Sequence, residues 1–136
     1  MKLLMIYCHN FGYKTSKKTL EEVADKSEEK KIENALVGFI NMEAEDEENA
    51  SKVETKLIKN LKWAANKNDS KTIVLHSFAH LSESKAEPGK TARLLNSAEE
   101  RLKNSGYEVY QTPFGYFLDL EIDAPGHPLT RLFKSF

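Results

Sequence analysis

Four histidines and one cysteine are the side chains of this 136-residue sequence best suited to proton transfer or nucleophilic attack. Of these, His80 has the most informative surroundings. It follows the small residue Ala79 in Ser77-Phe78-Ala79-His80-Leu81-Ser82, directly off the apolar run Thr72-Ile73-Val74-Leu75. Loops leaving buried strands are where rigid scaffolds present functional groups, and an imidazole there can accept a proton or orient a water. The competing role is a histidine that caps local backbone groups. His76 and His80 are four residues apart, but a strand end and its loop do not put them on one helix face, so joint metal ligation is not implied. Cys8-His9 lacks a second ligand pair, and Cys8 ends an apolar strand, which marks a core thiol rather than an activated nucleophile. Glu87-Pro88-Gly89-Lys90-Thr91 lacks the upstream glycine and strand of a phosphate loop. No metal and no cofactor are expected.

The second concentration of unusual residues is Thr112–Leu129, which holds three of the four prolines and two of the six glycines. Pro113 and Gly115 force a turn before the strand-like run Tyr116–Ile122, and Ala124-Pro125-Gly126 breaks the chain again. His127-Pro128 then opens a short terminal helix. Constrained backbone beside Phe114, Tyr116, Phe117 and an imidazole suits a pocket wall; two tight turns around a core strand would have the same composition.

The elements that must position these groups follow from periodicity. Lys2–Cys8 reads as a buried strand rather than a leader, because the apolar run stops at Tyr7-Cys8-His9-Asn10 without a small-residue cleavage site. His9–Gly12 should break it, with Phe11 and Tyr13 in a second short strand. Residues 19–31 read as a weak helix or mobile loop. A strand is expected over Ile32–Glu43, with Gly38 marking a bulge or a close approach, and then an acidic turn, Glu43–Asn49. Residues 50–66 form the clearest helix, turning Val53, Leu57, Leu61 and Ala64 inward. Lys52, Lys56, Lys59 and Lys62 lie opposite, either as a solvated face or as a phosphate-facing stripe. A strand over Lys71–His76, a helix from Pro88 to about Asn104 and a strand over Tyr107–Gln111 complete the pattern. The result is one α/β domain with α+β tendency over residues 1–136, its sheet mixed or antiparallel with two main helices packed on it. The net charge of −1 supplies no global field toward nucleic acid or membrane, and the lone cysteine excludes an internal disulfide. No apolar run approaches the ~20 residues of a membrane span, so a soluble, cytoplasmic protein is expected.

Ser77-Phe78-Ala79-His80-Leu81-Ser82, then Pro88, then Pro113-Phe114-Gly115-Tyr116, then Gly126-His127-Pro128-Leu129, in this order and spacing, resemble the archaeal-type editing domain of threonyl-tRNA synthetase. The resemblance covers nearly the whole chain. It implies a D-aminoacyl-tRNA deacylase-like fold, a homodimer, and hydrolysis of serine wrongly esterified to threonine tRNA, with removal of D-amino acids also within the family's range. It further implies that the 2′-hydroxyl of the terminal adenosine assists, while protein groups orient substrate and water. Carried over, His80 is the catalytic candidate. Met42, Phe78, Ala79, Phe114, Gly115, Tyr116, Phe117 and His127 are the substrate-binding candidates. The implied partners are the aminoacylated acceptor end of tRNA(Thr), a second copy of the chain, and the synthetase in cis or in trans; whether the chain is free-standing stays open.

Three positions depart from the family pattern. Leu118 stands where a lysine is common, two residues after the tyrosine of Pro-Phe-Gly-Tyr. Arg131 stands where a glutamate is common, and Tyr7-Cys8-His9 replaces His-Ser-Asp at the end of the first strand. Leu118 can neither hold a water nor stabilise an oxyanion. Three readings follow: a divergent aminoacyl-tRNA deacylase, a module that binds aminoacyl-tRNA or adenosine without efficient hydrolysis, and a structural partner of a synthetase.

Overall fold

The first strand is much longer than its polar middle suggests. In the computed structural model, which describes all 136 residues, β1 runs unbroken over Lys2–Lys18. It is the spine of a six-stranded sheet. On one side it pairs antiparallel with β2 (Glu29–Asn41), from Lys2↔Asn41 to Lys14↔Glu29. On the other side it pairs first with β6 (Arg131–Ser135) over Lys2–Ile6, then with β5 (Tyr116–Asp123) from Asn10 onward. The exposed pair His9-Asn10, read from sequence as a break, marks the place where the partner changes from β6 to β5. Ladder bonds to β2 carry the backbone through it, which no local pattern shows.

Residues 20–28 form an irregular loop, not a helix. Its half-buried Leu20 and Val23 are anchors, as expected, but their partner is Gly115. After β2, a 3₁₀ turn over Ala44–Asn49 leads into α1 (Ala50–Lys67), and β3 (Thr72–Ser77) returns parallel to β2. Helix α2 spans Pro88–Asn104 and β4 (Glu108–Gln111) pairs parallel with β3. The strand order is β4-β3-β2-β1-β5, with β6 beside β1. The sheet is therefore mixed: parallel where helices connect the strands, antiparallel around β1. The expected terminal helix is only a 3₁₀ turn, Pro128–Thr130, and the chain ends in β6 instead.

Both helices lie on one face. Leu57, Leu61 and Ala64 of α1 and Leu94, Leu95, Ala98 and Leu102 of α2 are buried against Leu3, Met5, Leu36, Ile40, Ile73 and Leu75. Each large aliphatic side chain so buried contributes about 1.5–3 kcal/mol. Gly38 permits the close approach anticipated from sequence: a Cβ there would lie 2.8 Å from Leu61 Cδ2. The other face carries a second cluster, Cys8, Phe11, Tyr13, Val37, Phe39 and Val74, covered in part by Phe78, Leu81, Leu118 and Leu120.

Candidate functional site

The carboxyl ends of the parallel strands β2 and β3 lie side by side, with Ile40 opposite Ser77. The β3 end is aromatic. The His76 ring meets Phe39 edge-on at 5.2 Å, Phe39 meets Phe78 at 5.4 Å, and Phe78 meets His80 at 5.1 Å. Edge-to-face contacts of this kind fix ring orientation as well as burying area. His76 is buried, its Nδ1 is 2.9 Å from the Thr112 hydroxyl, and burial pushes its pKa down to about 4, so it is neutral at physiological pH. His80 is exposed. Its imidazole has no hydrogen-bond partner in the chain, so the backbone-capping role is not the one it has here.

Leaving β3, the chain is held by Asn41, a buried residue that sequence reasoning passed over. Its Oδ1 accepts from the Leu81 amide at 3.1 Å and its Nδ2 donates to the Ser84 carbonyl at 3.2 Å. Glu43, also buried, accepts from the Ser82 hydroxyl at 2.7 Å and from the Met1 ammonium at 2.8 Å. That ammonium, with Ser82 and Lys2, holds the Glu43 carboxyl down at about 2. The signal for both was a polar side chain at the end of an otherwise apolar strand.

The opposite wall is the turn after β4. The Thr112 amide donates to the Leu75 carbonyl at 3.0 Å, fixing the turn to β3. Gly115 has φ of +85°, and a Cβ there would lie 2.8 Å from Val23 Cγ1, so both conformation and space demand glycine. The Gly115 carbonyl accepts from the Thr19 amide at 2.7 Å, and the Tyr116 hydroxyl donates to the Ala24 carbonyl. The loop after β1 thereby braces the turn.

Between these walls is a cavity of about 480 Å³. Met42, Phe78, Ala79, His80, Phe114, Gly115, Tyr116, Phe117 and Leu118 all border it, as does His76. The Met42 carbonyl accepts from the Ala86 amide at 2.9 Å and from Asn41 Nδ2 at 3.3 Å, so both its lone pairs are taken and it is not free to bind a ligand. Two residues drawn to the site from sequence are elsewhere. His127 is exposed, and its Nδ1 accepts from the Leu129 amide at 3.2 Å, which makes it the cap of the 3₁₀ turn before β6. Arg131 is exposed at the start of β6 and donates to the Pro125 carbonyl at 3.0 Å. Neither lines the cavity. Burial pushes the Cys8 thiol up to about 11, the opposite of an activated nucleophile. No group of three or more His, Cys, Asp or Glu side chains is placed to hold a metal.

A family model for the archaea-specific editing domain of threonyl-tRNA synthetase matches residues 1–136. The chain belongs to that editing-domain family. The threonine–tRNA ligase of Methanosphaera stadtmanae is 34% identical over 137 residues, 99% of this chain and 22% of the relative. That of Thermococcus kodakarensis is 32% identical over 138 residues, with the same coverage. The chain thus spans about a fifth of the length of the curated relatives it matches. The solved structure of the c-Myc DNA unwinding element binding protein superposes with a TM-score of 0.69 at 13% identity, covering 100% of this chain and 99% of that one. At that identity the match speaks for the fold alone, and it is the fold the motifs led one to expect. No helix of the editing-domain chain is long and apolar enough to cross a membrane.

Proposed function

We propose that this editing domain hydrolyses the ester of mischarged aminoacyl-tRNA, with seryl-tRNA(Thr) as the principal substrate and D-aminoacyl-tRNA as a second class. Serine lacks one methyl relative to threonine, and a group of that size supplies only about 1–3 kcal/mol of discrimination, so a synthetic site alone is too permissive. The observation that carries the reading is the cavity between β3 and the Gly115 turn, in a chain of this family, with an exposed imidazole at its edge. Its volume of about 480 Å³ falls in the ordinary range for a site holding a nucleoside-sized group.

In the reaction, water attacks the ester carbonyl carbon, a tetrahedral oxyanion forms, and the 3′-oxygen of the terminal adenosine leaves with a proton. His80, free of protein partners and turned by Phe78, accepts the proton of the attacking water. The adenosine 2′-hydroxyl assists in orienting it. Phe114, Tyr116 and Phe117 supply apolar and stacking surface for the adenosine, and Ala79 leaves room beside the aminoacyl group. Leu118 in the wall favours the second reading, a module that binds the aminoacyl-adenosine end with little hydrolysis, because an aliphatic group gives the oxyanion nothing. The domain acts in the cytoplasm on the acceptor end of tRNA(Thr), alongside a synthetase in cis or in trans. A homodimer would cover the exposed apolar strip where Phe133 of β6, 54% exposed, lies beside half-buried Leu4 of β1.

Hydrolysis of seryl-tRNA(Thr), threonyl-tRNA(Thr) and a D-aminoacyl-tRNA under one set of conditions tests this. Faster loss of the seryl or D-aminoacyl ester than of the threonyl ester is expected. Equal and near-background loss of all three, with aminoacyl-adenosine still bound, would establish the binding module instead.

A further inference from the structure

The outer face of α1 is unlike the rest of the surface. At 100° per residue, Lys52, Lys56, Lys59, Trp63 and Lys67 fall within about 80° of one another, a stripe roughly 22 Å long. All five are exposed, whereas Lys62 is half-buried off to one side. None of these lysines takes part in the molecule's ion pairs. The helix holds one carboxylate, Glu54, and it is buried and bound to Arg101 Nη1 at 2.6 Å. Glu48, just before the helix, is the nearest acid in sequence at its head. In a chain of net charge −1, this is a concentrated cationic face, with Glu48 the one acid that shares a groove with Lys52, Lys56 and Lys59.

Trp63 makes the stripe more than a solvated lysine face. It is the only tryptophan of the chain, and it is 45% exposed. Lys67 Nζ lies 5.7 Å from its ring centroid. A large indole left in water amid lysines offers a stacking platform inside an electrostatic track, the combination that holds nucleic-acid backbone and unstacked bases. The stripe is also connected to the cavity. Met42, in the cavity wall, is followed by the 3₁₀ turn that delivers the chain to the head of α1. The turn's first amide, on Ala44, donates to Ser84 Oγ at 3.0 Å, and the next residue, Lys85, is an exposed cation lining the cavity.

Resting on the deacylase reading above, we propose that the α1 stripe is the docking surface for the sugar–phosphate backbone of the tRNA whose terminal adenosine occupies the cavity. Lys52, Lys56 and Lys59 contact phosphates, and Trp63 stacks on a base or ribose. Lys85 bridges the stripe to the cavity.

The sole tryptophan makes the test direct. Uncharged tRNA(Thr) transcript is titrated into the protein while Trp63 emission and the anisotropy of labelled RNA are followed, at several salt concentrations. Binding is expected to quench Trp63. The triple variant Lys52→Gln, Lys56→Gln, Lys59→Gln should weaken binding more than tenfold at low salt and reduce the slope of log K against log salt by about 2–3. Trp63→Leu should weaken binding by roughly five- to a hundredfold, the range for one stacked base. Both variants should hydrolyse a seryl ester of adenosine at the wild-type rate, since the small ester needs only the cavity. RNA binding with unchanged emission and unchanged slope in the triple variant would overturn the assignment, as would no RNA binding at all. Loss of affinity for the remainder of the synthetase, with RNA affinity intact, would overturn it in favour of a protein partner. Wild-type protein that binds RNA through the stripe but hydrolyses neither the seryl ester of adenosine nor seryl-tRNA(Thr) would overturn the deacylase reading and leave the docking surface standing.

Discussion

The two turns that bracket β5 are both built on proline and glycine, yet only one of them is part of the cavity wall. The first contains Thr112, Pro113, Phe114 and Gly115; the second contains Pro125, Gly126, His127 and Pro128. In the first, Thr112 and Pro113 are buried, the backbone is tied to Leu75, and Gly115 is held at positive φ against Val23. In the second, Gly126 and His127 are exposed, and a Cβ on Gly126 would meet nothing within 4 Å. The difference is one of neighbours. The first turn faces the carboxyl ends of β2 and β3, where the parallel arrangement opens a crevice. The second bridges the place where β1 exchanges β5 for β6. Proline and glycine mark a change of direction; the sheet decides whether that change encloses anything.

Chemistry separates the cavity, with its β3 loop and first turn, most widely from the second turn. His80→Ala should lower seryl-tRNA(Thr) hydrolysis by about 10²–10⁴-fold, the usual worth of a positioned acid–base group. His127→Ala should leave the rate within a factor of two or so of wild type, since its imidazole serves only the Leu129 amide. Single-turnover rates on the same charged tRNA read both. A large loss in His127→Ala with His80→Ala unaffected would exchange the roles assigned to the two regions.

Stability separates them next. Gly115→Ala meets both a left-handed backbone, at about 1–2 kcal/mol, and a clash with Val23, at about 1–3 kcal/mol. A loss of roughly 2–5 kcal/mol is expected in urea unfolding. Gly126→Ala meets neither obstacle and should change stability by less than about 0.5 kcal/mol. If Gly126→Ala were as costly as Gly115→Ala, the second turn would be under a constraint its open surroundings do not supply.

The first turn also carries a pH dependence through Thr112. Burial depresses the pKa of His76, its partner, from the ordinary 6.5 to about 4. The unfolded chain therefore takes up a proton there below about pH 6.5, and the folded chain does not until about pH 4. Stability from neutral His76 is complete above pH 6.5, falls as the pH drops toward 4, and levels off below. At about 1.4 kcal/mol for each pH unit of that window, the total is about 3 kcal/mol. Glu43, depressed from 4.5 to about 2, keeps its contribution above pH 4.5 and loses it from there down to 2, so the two windows overlap only between about pH 4.5 and 4. His76→Gln should flatten unfolding free energy between pH 6.5 and 4. An unflattened curve would assign that acid sensitivity to other groups.

What the sequence discloses follows the range of the interactions. Helix α2 runs from Pro88 to Asn104 and α1 buries Val53, Leu57, Leu61 and Ala64, as expected, because amphipathic period and caps are local. The Phe78–His80 loop and the Phe114–Tyr116 turn were legible for the same reason, and they do face one cavity. The unbroken β1 was not legible, because the ladder with β2 carries it through His9-Asn10. Nor was the bracing of Gly115 by Leu20 and Val23, two apolar residues in a polar stretch nearly a hundred positions away. His127 lies outside the cavity that the loop and the turn share, because a motif records order along the chain, whereas a cavity records proximity. Asn41 and Glu43 were overlooked because the loop that both of them hold has no pattern of its own.

The smallest expected effect concerns Leu118 and Arg131, one beside each turn. If they shared a cavity, Leu118→Lys and Arg131→Glu would create a charge pair, and their effects would be strongly coupled. The register argues otherwise. Leu118 lies opposite Thr15 and Arg131 opposite Ile6, nine positions apart along β1, roughly 30 Å of strand contour. Leu118 borders the cavity, whereas Arg131 donates to Pro125 outside it. Leu118→Lys alone should therefore change the rate, upward by as much as about 10²-fold if its ammonium reaches the oxyanion. Arg131→Glu alone should change it little. Residues without shared partners add to within about 0.3–0.5 kcal/mol, or roughly a factor of two in rate, and the double variant should match the product of the singles. Rates for all four proteins on seryl-tRNA(Thr) measure the deviation. A coupling well beyond that factor would mean the two positions meet, and since one chain keeps them apart, they would have to meet across two copies. Repeating the cycle below the dissociation concentration of any such dimer would then abolish the coupling, while coupling that survives dilution would refute the placement of Arg131 itself.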